Sequence, residues 1–376
     1  MRIALIAPAA VPARTANSIQ AMKMAQAFTA IGHEARLYVP GVTPDLEWPA
    51  IAEHYGLRER FEVRWLPSRP ALRRYDFAYR AVWEAQRWGA DLIYTRLPQA
   101  AAYASWRGYP TVFESHDLPG GFWGPRLLRA FLRGRGAKRL VTISAALAAD
   151  LALYFRVPAF SPFTVIASDG VDLARYADLP KPEQARRQLD LPSGFTAGYT
   201  GHLYPGRGVA LILEIAQRLP EVNFLLVGGE PRDVAHWEQQ THRCHLENVR
   251  FTGFVPNAQL PRYQAACEVL LMPYQARVAA SSGGDIARYL SPMKMFEYLA
   301  CGRAILSSDL PVLGEVLTPE NAILLDPTDA AAWAATIQRL QEDPERRAEL
   351  GKRARQDAGT YSWEARAERV LEGLDL

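Results

Sequence analysis

What most constrains this chain is a rhythm that runs through it twice: a short apolar run that reads as a buried strand, then a helical pattern, then another strand. Residues 2–7, RIALIA, are followed by NSIQAMKMAQAFTAIGHEARLYV, where Ile19, Met22, Ala25 and Phe28 fall at helical spacing before Gly32 stops the helix and a second strand begins. DLIYTR, PTVFESHD, RLVTIS and FTVIAS continue the series. After residue 195 it returns as TAGYTGHL, GVALILEIAQRL, NFLLVGG, VRFTGF, EVLLMPY and RAILSS. Short apolar strands alternating with helices make parallel sheets covered by helices. The expected class is therefore α/β, with two doubly wound, Rossmann-like domains. Such sheets bind ligands outside the carboxyl ends of their strands, and domains facing each other would hold the ligand in a cleft. The polar, Pro-containing DLARYADLPKPEQARRQ reads as the linker, which places the domains at 1–179 and 180–360. The tail, 361–376, carries Trp363, Ala367, Val370 and Leu374 along one side; it can fold back onto either domain and is assigned here to the first.

At 376 residues the chain is too long for one ordinary core, and its 49% hydrophobic and 22% charged residues are those of a globular protein. A formal charge of +3 gives no case for nucleic acid. Cys244, Cys267 and Cys301 are scattered, with no C-x-x-C spacing, so neither a disulfide framework nor a zinc site is expected and a reducing cytoplasm is the natural compartment. Pro8, Pro12 and Arg14 interrupt the opening apolar run before it could act as a signal peptide, and no run of about 18 apolar residues reads as a membrane span. Charge is nevertheless uneven: residues 126–139, RLLRAFLRGRGAKR, hold six basic residues and no acid, with Leu127, Leu128, Phe131 and Leu132 interleaved. That composition suits peripheral contact with an anionic membrane surface or a lipid-phosphate acceptor, on the inner face of the membrane; an ordinary solvated helix with a basic face has the same composition.

The absences narrow the chemistry. The first strand is followed by APAAVPARTAN, without the G-x-G-x-x-G of a dinucleotide site, and there is no P-loop, no G-x-S-x-G and no Asp-x-Asp that would hold a metal against a diphosphate. A bound diphosphate would have to be neutralised by protein cations and helix N-termini. YTGHLYPGRGV offers a glycine-rich turn with His202, Gly206 and Arg207 ahead of a helix, although an exposed surface turn reads the same way. FESHDLPG puts His116 and Asp117 at the carboxyl end of a strand, and VRFTGFVPN ends a strand at Gly253, Phe254 and Val255, whose backbone could read a base edge. VIASDGVD, with Asp169, Gly170 and Asp172, precedes the linker.

YLSPMKMFEYLACG, 289–302, poses the sharpest question. Ser291 reads as an N-cap, Pro292 as the first helical residue and Gly302 as the stop. Glu297 then projects from a stripe shared with Met293, Ala300 and Cys301, and Lys294 sits in the first turn, where the helix dipole disfavours a cation unless an anion is held there. Either the two pair with each other three residues apart, or they serve a ligand rich in hydroxyls and phosphate.

Taken in order, ANSIQAMKMAQAFTAIGHE, VFESHDLP, VIASDGVD, YTGHLYPGRGV, LLVGGE, VRFTGFVP and SPMKMFEYLACGRAILSSDLPVLGEVL resemble the family-4 glycosyltransferases of the GT-B fold over essentially the whole length. The resemblance implies transfer of a sugar from a nucleoside-diphosphate donor to an acceptor hydroxyl, with retention at the anomeric carbon and without metal or other cofactor. It sets the protein in polysaccharide, glycolipid or envelope-glycan synthesis. By the same resemblance Glu297 binds the nucleotide ribose; Ser291, Pro292 and Met293 lie beside the phosphates; Arg207 stands for the family's usual lysine; and Gly253, Phe254 and Val255 contact the base. His116 matches the acceptor-side histidine, and Lys294 would pair with donor phosphate. Two departures stand out. His202 occupies a position where the family often has arginine, and Tyr289 replaces the first of its paired glutamates, as in a subgroup marked by S-P-x-K-x-x-E-Y. They leave open a nucleotide-sugar binding protein without turnover. A sugar-nucleotide epimerase on the same fold is the third reading; the glycine-free first turn disfavours a nicotinamide dehydrogenase.

Overall fold

Seven parallel strands make the first of two sheets: β1 (Arg2–Ile6), β2 (Glu34–Pro40), β3 (Glu62–Leu66), β4 (Leu92–Thr95), β5 (Thr111–Ser115), β6 (Ala137–Thr142) and β7 (Thr164–Ile166), in the order β3-β2-β1-β4-β5-β6-β7. The second has six: β8 (Thr196–Thr200), β9 (Asn223–Val227), β10 (Val249–Phe251), β11 (Val269–Met272), β12 (Ala304–Ser308) and β13 (Ile323–Leu325), in the order β10-β9-β8-β11-β12-β13. These come from a computed structural model, which describes residues 1–157, 161, 163–279 and 284–374. Both sheets reverse direction once, beside β1 and beside β8, the arrangement expected of doubly wound α/β domains.

Period-two alternation explains why the central strands of the second sheet are largely apolar. Leu225, Val227, Leu270, Met272 and Ile305 enter one core with Met295, Phe296 and Leu299 of the helix Met293–Cys301. Their neighbours Phe224, Leu226, Val269, Leu271, Ala304 and Leu306 enter another, with Ile212 and Ile215 of the helix Val209–Arg218 and Trp333 and Ile337 of the helix Ala330–Glu342. Both faces are buried, so only the strand ends remain for polar chemistry. The strands that sequence reading passes over, β3 and β13, are both edge strands with half-buried residues: β3 carries Glu62 and Arg64 among its apolar residues, and β13 is only three residues long.

Contacts divide the chain into Met1–Asp169 with Trp363–Leu376, and Gly170–Ser362. The boundary therefore falls ten residues before the expected 179/180. The supposed linker is already core: Tyr176, 1% exposed, donates its hydroxyl to Gln264 Oε1 at 2.9 Å, and Val171, just before it, donates to the Tyr361 carbonyl at 2.8 Å. The tail helix, Trp363–Leu371, lies with the first unit, burying Trp363, Ala367 and Val370. One reason is Arg139 of β6, whose guanidinium donates to the carbonyls of Val370 at 2.6 Å and Glu372 at 2.7 Å, groups that a helix C-terminus leaves without partners.

Arg139 thus leaves the basic stretch of the sequence for the interior. Replacing it with Met should remove these charge-assisted bonds and lower stability by about 2–3 kcal/mol, given ~1.5 kcal/mol or more for each such bond. Calorimetric unfolding of Arg139→Met beside the parent checks this, and an unchanged transition would mean that the tail helix is held by its apolar face alone.

Candidate functional site

The turn that leaves β8 is set by backbone packing. Gly206 and Gly208 both have φ of 82°, and a Cβ at either would lie 2.1 Å from the Arg277 carbonyl oxygen or 1.9 Å from that of Pro273. Only glycine allows this approach. Gln275 N–H donates to the Gly206 carbonyl at 2.9 Å, so the turn after β8 is clamped against the segment leaving β11. Between these glycines Arg207 turns inward and donates from Nη1 to the Tyr274 hydroxyl at 3.0 Å. This is the switch point of the second sheet, where β8 and β11 adjoin.

Lys294 reaches the same place from the helix Met293–Cys301. Its Nζ lies 3.6 Å from the Tyr199 ring centroid and 5.4 Å from that of Tyr274, and is sealed from solvent with no hydrogen-bond acceptor among the described residues. A Cβ at Gly201 would come within 3.0 Å of it, so glycine there makes room for the ammonium. Burial first, then the Arg207 guanidinium, push the Lys294 pKa well below that of an ordinary lysine; Glu297 opposes them. Two cations therefore share two tyrosines, and no anion among the described residues pairs with Lys294. Glu297 does not meet Lys294: its Oε2 accepts from Gln264 Nε2 at 3.1 Å, while Gln264 Oε1 is held by Tyr176. The Lys294–Glu297 pair allowed by the spacing is absent.

The helix begins one residue later than its sequence implies. Pro292, with φ −80° and ψ 124°, is the capping residue, no side chain caps the helix, and Ser291 and Pro292 lie outside it. The physical reason is that extended backbone suits a residue entering a helix, and proline's fixed φ is compatible with it. The amides at Met293 and Lys294 then begin the helix with no acceptor one turn earlier within it.

The other expected residues of the second unit sit in the turns that follow β8 and β10 and in the segment before the helix. The His202 ring stacks on Tyr204, centroids 4.6 Å apart and planes within 5°, and the His202 carbonyl accepts from the Tyr199 hydroxyl at 2.6 Å. Gly253 ends β10 at φ 67° and its carbonyl accepts from Gly228 N–H at 2.9 Å, which ties the exits of β9 and β10 together. Phe254 is half-buried; Val255 packs on the core beneath. Tyr289 is buried and ends a short 3-10 turn. Sequence reading missed Tyr199, Tyr274 and Gln264: tyrosines at strand ends and a glutamine in a helix carry no local sign of what they face.

His116 lies in the first unit, just after β5. Its Nε2 meets Glu114 Oε1, and Glu114 is enclosed, accepting from Gln20 Nε2 at 2.8 Å with Arg366 Nη2 in an ion pair 3.0 Å from the same oxygen. Arg366, Arg96 and Asp169 complete a buried charge cluster. Burial raises the Asp169 pKa to about 6, and Arg366 and His116 hold Glu114 below the usual carboxylate value in spite of burial. Sequence reading also passes over Glu114, although a carboxylate in an apolar strand two residues from His116 is a legible signal.

The basic stretch divides. Arg126, Arg129 and Arg133 of the helix Gly124–Arg133 are exposed, while Leu128 and Phe131 point into the core rather than outward. Exposed apolar area comes instead from Phe122 and Trp123 before that helix and from Leu153 and Tyr154 of the helix Ala145–Phe155, at 64, 55, 70 and 61%. Arg126 stands 3.7 Å over the Phe122 ring. No helix among the described residues is long and apolar enough to cross a membrane.

Solved structures that share this architecture are GT-B glycosyltransferases. An Anabaena protein, HepE, in complex with UDP and glucose, matches with a TM-score of 0.75 and 20% identity over 99% of this chain and 98% of that one; a glycosyltransferase from Rickettsia africae matches at 0.76 and 13%, over 99% of each. The fold is therefore GT-B. Family models described as Glycosyltransferase Family 4 and Glycosyl transferases group 1 match residues 18–175 and 194–343, and the chain belongs to that family. A phosphatidyl-myo-inositol mannosyltransferase of Mycolicibacterium smegmatis is 27% identical over 228 residues, 59% of this chain and 54% of that protein. A D-inositol 3-phosphate glycosyltransferase of Thermomonospora curvata is 28% identical over 310 residues, 76% and 66%. The chain spans about half the length of several curated relatives that it matches.

An ammonium held without an acceptor weakens the unliganded fold. Lys294→Met keeps the stem and removes the charge, so the variant should melt higher than the parent without ligand, by roughly 1–3 kcal/mol. A lower melting temperature would show that the tyrosine rings compensate the charge fully.

Proposed function

We propose that the protein transfers a sugar from a nucleoside-diphosphate donor to an acceptor hydroxyl, with retention and without a metal, and that the switch point of the second unit is the donor site. The observation that carries this is the pair of cations, Arg207 and Lys294, converging beside the start of a helix with no carboxylate among the described residues paired to Lys294. A diphosphate supplies the missing charge, and the helix N-terminus adds its amides. In this reading Ser291, Pro292 and Met293 border the phosphates, Glu297 takes the ribose hydroxyls with Gln264 holding its second side, and Gly253, Phe254 and Val255 meet the base. His202 and Gly206 shape the turn, His202 standing in for an arginine.

Transfer forms a bond from the acceptor oxygen to the anomeric carbon and breaks the bond from that carbon to the diphosphate; the acceptor proton passes to the departing phosphate. Cations fixed before the reaction stabilise the charge that develops on the leaving group, which is usually the largest contribution. His116 serves the acceptor side. Envelope polysaccharide or glycolipid synthesis is the setting that fits the relatives' names, which include a phosphatidyl-myo-inositol mannosyltransferase. The acceptor side is proposed to meet an anionic membrane through Phe122, Trp123, Leu153 and Tyr154 ringed by Arg126, Arg129, Arg133 and Arg156: between Leu118 and Ala149 there is no acidic residue to repel it.

The experiment is a thermal-shift panel with UDP, GDP, ADP and dTDP, and NAD as control. A diphosphate at a hundred times its Kd should add about 2.7 kcal/mol of stability. Glu297→Ala and Arg207→Ala should each reduce that shift, whereas His116→Ala should leave it in place. Stabilisation by none of the diphosphates removes the donor-site assignment; binding without turnover favours the non-catalytic reading, and conversion of donor without acceptor favours an epimerase. For the membrane, co-sedimentation with phosphatidylglycerol vesicles should exceed that with phosphatidylcholine vesicles and fall several-fold in Phe122→Ser/Trp123→Ser. Equal sedimentation with both lipids would leave the arginines as an ordinary solvated face.

A further inference from the structure

Arg366 is a member of the first unit's charge cluster to which the proposed function gives no role. It projects from the terminal helix, between Trp363, Ala367 and Val370, into the interior, and is 3% exposed. Nε donates to the Ser168 carbonyl at 2.9 Å, Nη1 to the Tyr94 hydroxyl at 3.1 Å, and Nη2 stands 3.0 Å from Glu114 Oε1. Stability alone gives little reason for a buried ion pair on an otherwise apolar helix face, since apolar residues of similar volume commonly serve as well.

The geometry leads outward from Arg366 to Glu114 and from Glu114 to His116. Glu114 and Arg366 are sealed, and His116 is the link that reaches solvent, its side chain 21% exposed. An ionised carboxylate only accepts, so the imidazole nitrogen that faces it, Nε2, carries the hydrogen. We propose that Arg366 is a positioning residue for His116: by holding Glu114 in place as a carboxylate, it commits the Nε2–H of His116 to Glu114 and leaves Nδ1 as the bare nitrogen for a hydroxyl of the acceptor. The last part rests on the reading of His116 as an acceptor-side group. The charged groups around the imidazole are Glu114 of β5, Arg96 after β4 and Arg366; Asp169, after β7, faces the same cluster. Burial and Arg96, with a smaller push from Arg366, bring the His116 pKa down to about 4 against the pull of Glu114, which agrees with a neutral ring at physiological pH.

The test is nitrogen-15 NMR of the full chain, with the His116 signals assigned from their loss in His116→Asn. The parent should show the Nε2–H tautomer. Arg366→Met should move the His116 titration upward, as expected when a nearby like charge is removed, and Arg366→Lys, which keeps the charge, should restore most of it. An Nδ1–H tautomer in the parent, or an unmoved titration in Arg366→Met, overturns the proposal. Should Arg366→Met fail to fold, Glu114→Gln gives the same decision: its His116 titration should fall rather than rise, and no movement overturns the link. Transfer rates keep the two readings apart. A shifted titration with a several-fold fall in kcat and an unchanged donor KM supports both; a shifted titration with unchanged kcat keeps the positioning role and removes His116 from the acceptor side.

Discussion

A parallel sheet covered by helices on both faces has only its strand ends for chemistry. In the second unit the central strands β9, β11 and β12 give alternate residues to two separate apolar cores, so polar groups gather where strands stop. Reversal of strand order at β8 and β11 parts the loops leaving them, and the backbone contacts of Gly206 and Gly208 bring those loops back together at one point. Arg207, Tyr199, Tyr274 and Lys294 meet there because of that constraint.

The two units treat charge in opposite ways. In the first, Glu114 and Asp169 are enclosed together with Arg96 and Arg366, and the cluster is internally compensated. In the second, Lys294 and Arg207 lie side by side with aromatic rings as company, and burial depresses the lysine pKa because nothing nearby pairs with its charge. A compensated cluster fixes geometry; an uncompensated one favours an incoming anion. The contrast follows from which carboxylates are enclosed: Glu297 is held by Gln264, so its attraction for Lys294 stays weaker than burial and Arg207 together.

Much of this was legible in the sequence where a signal is local. Most strands announce themselves through apolar runs, whereas β3, an edge strand interrupted by Glu62 and Arg64, and β13, an edge strand of three residues, do not. The oddity of Lys294 and Glu297 in an apolar helix was visible from spacing, but their separation was not: an i, i+3 pair on a helix can touch or can be drawn to different partners, and Gln264 decided the matter. The basic run 126–139 misled in part because a linear count ignores direction. Leu128 and Phe131 face the core, and Arg139 turns inward to end the terminal helix.

The sequence by itself determined the α/β class, the repeated doubly wound pattern, and the glycines, histidines and cations that mark the strand ends, since each of these depends on residue type and near-neighbour spacing. Only the tertiary structure decided where the units divide, which side chains enclose Lys294, and that Arg366 reaches back to Glu114. Those contacts join residues tens to hundreds of positions apart, and their energies depend on burial and on which charges share a low-dielectric interior, neither of which exists until the chain has folded.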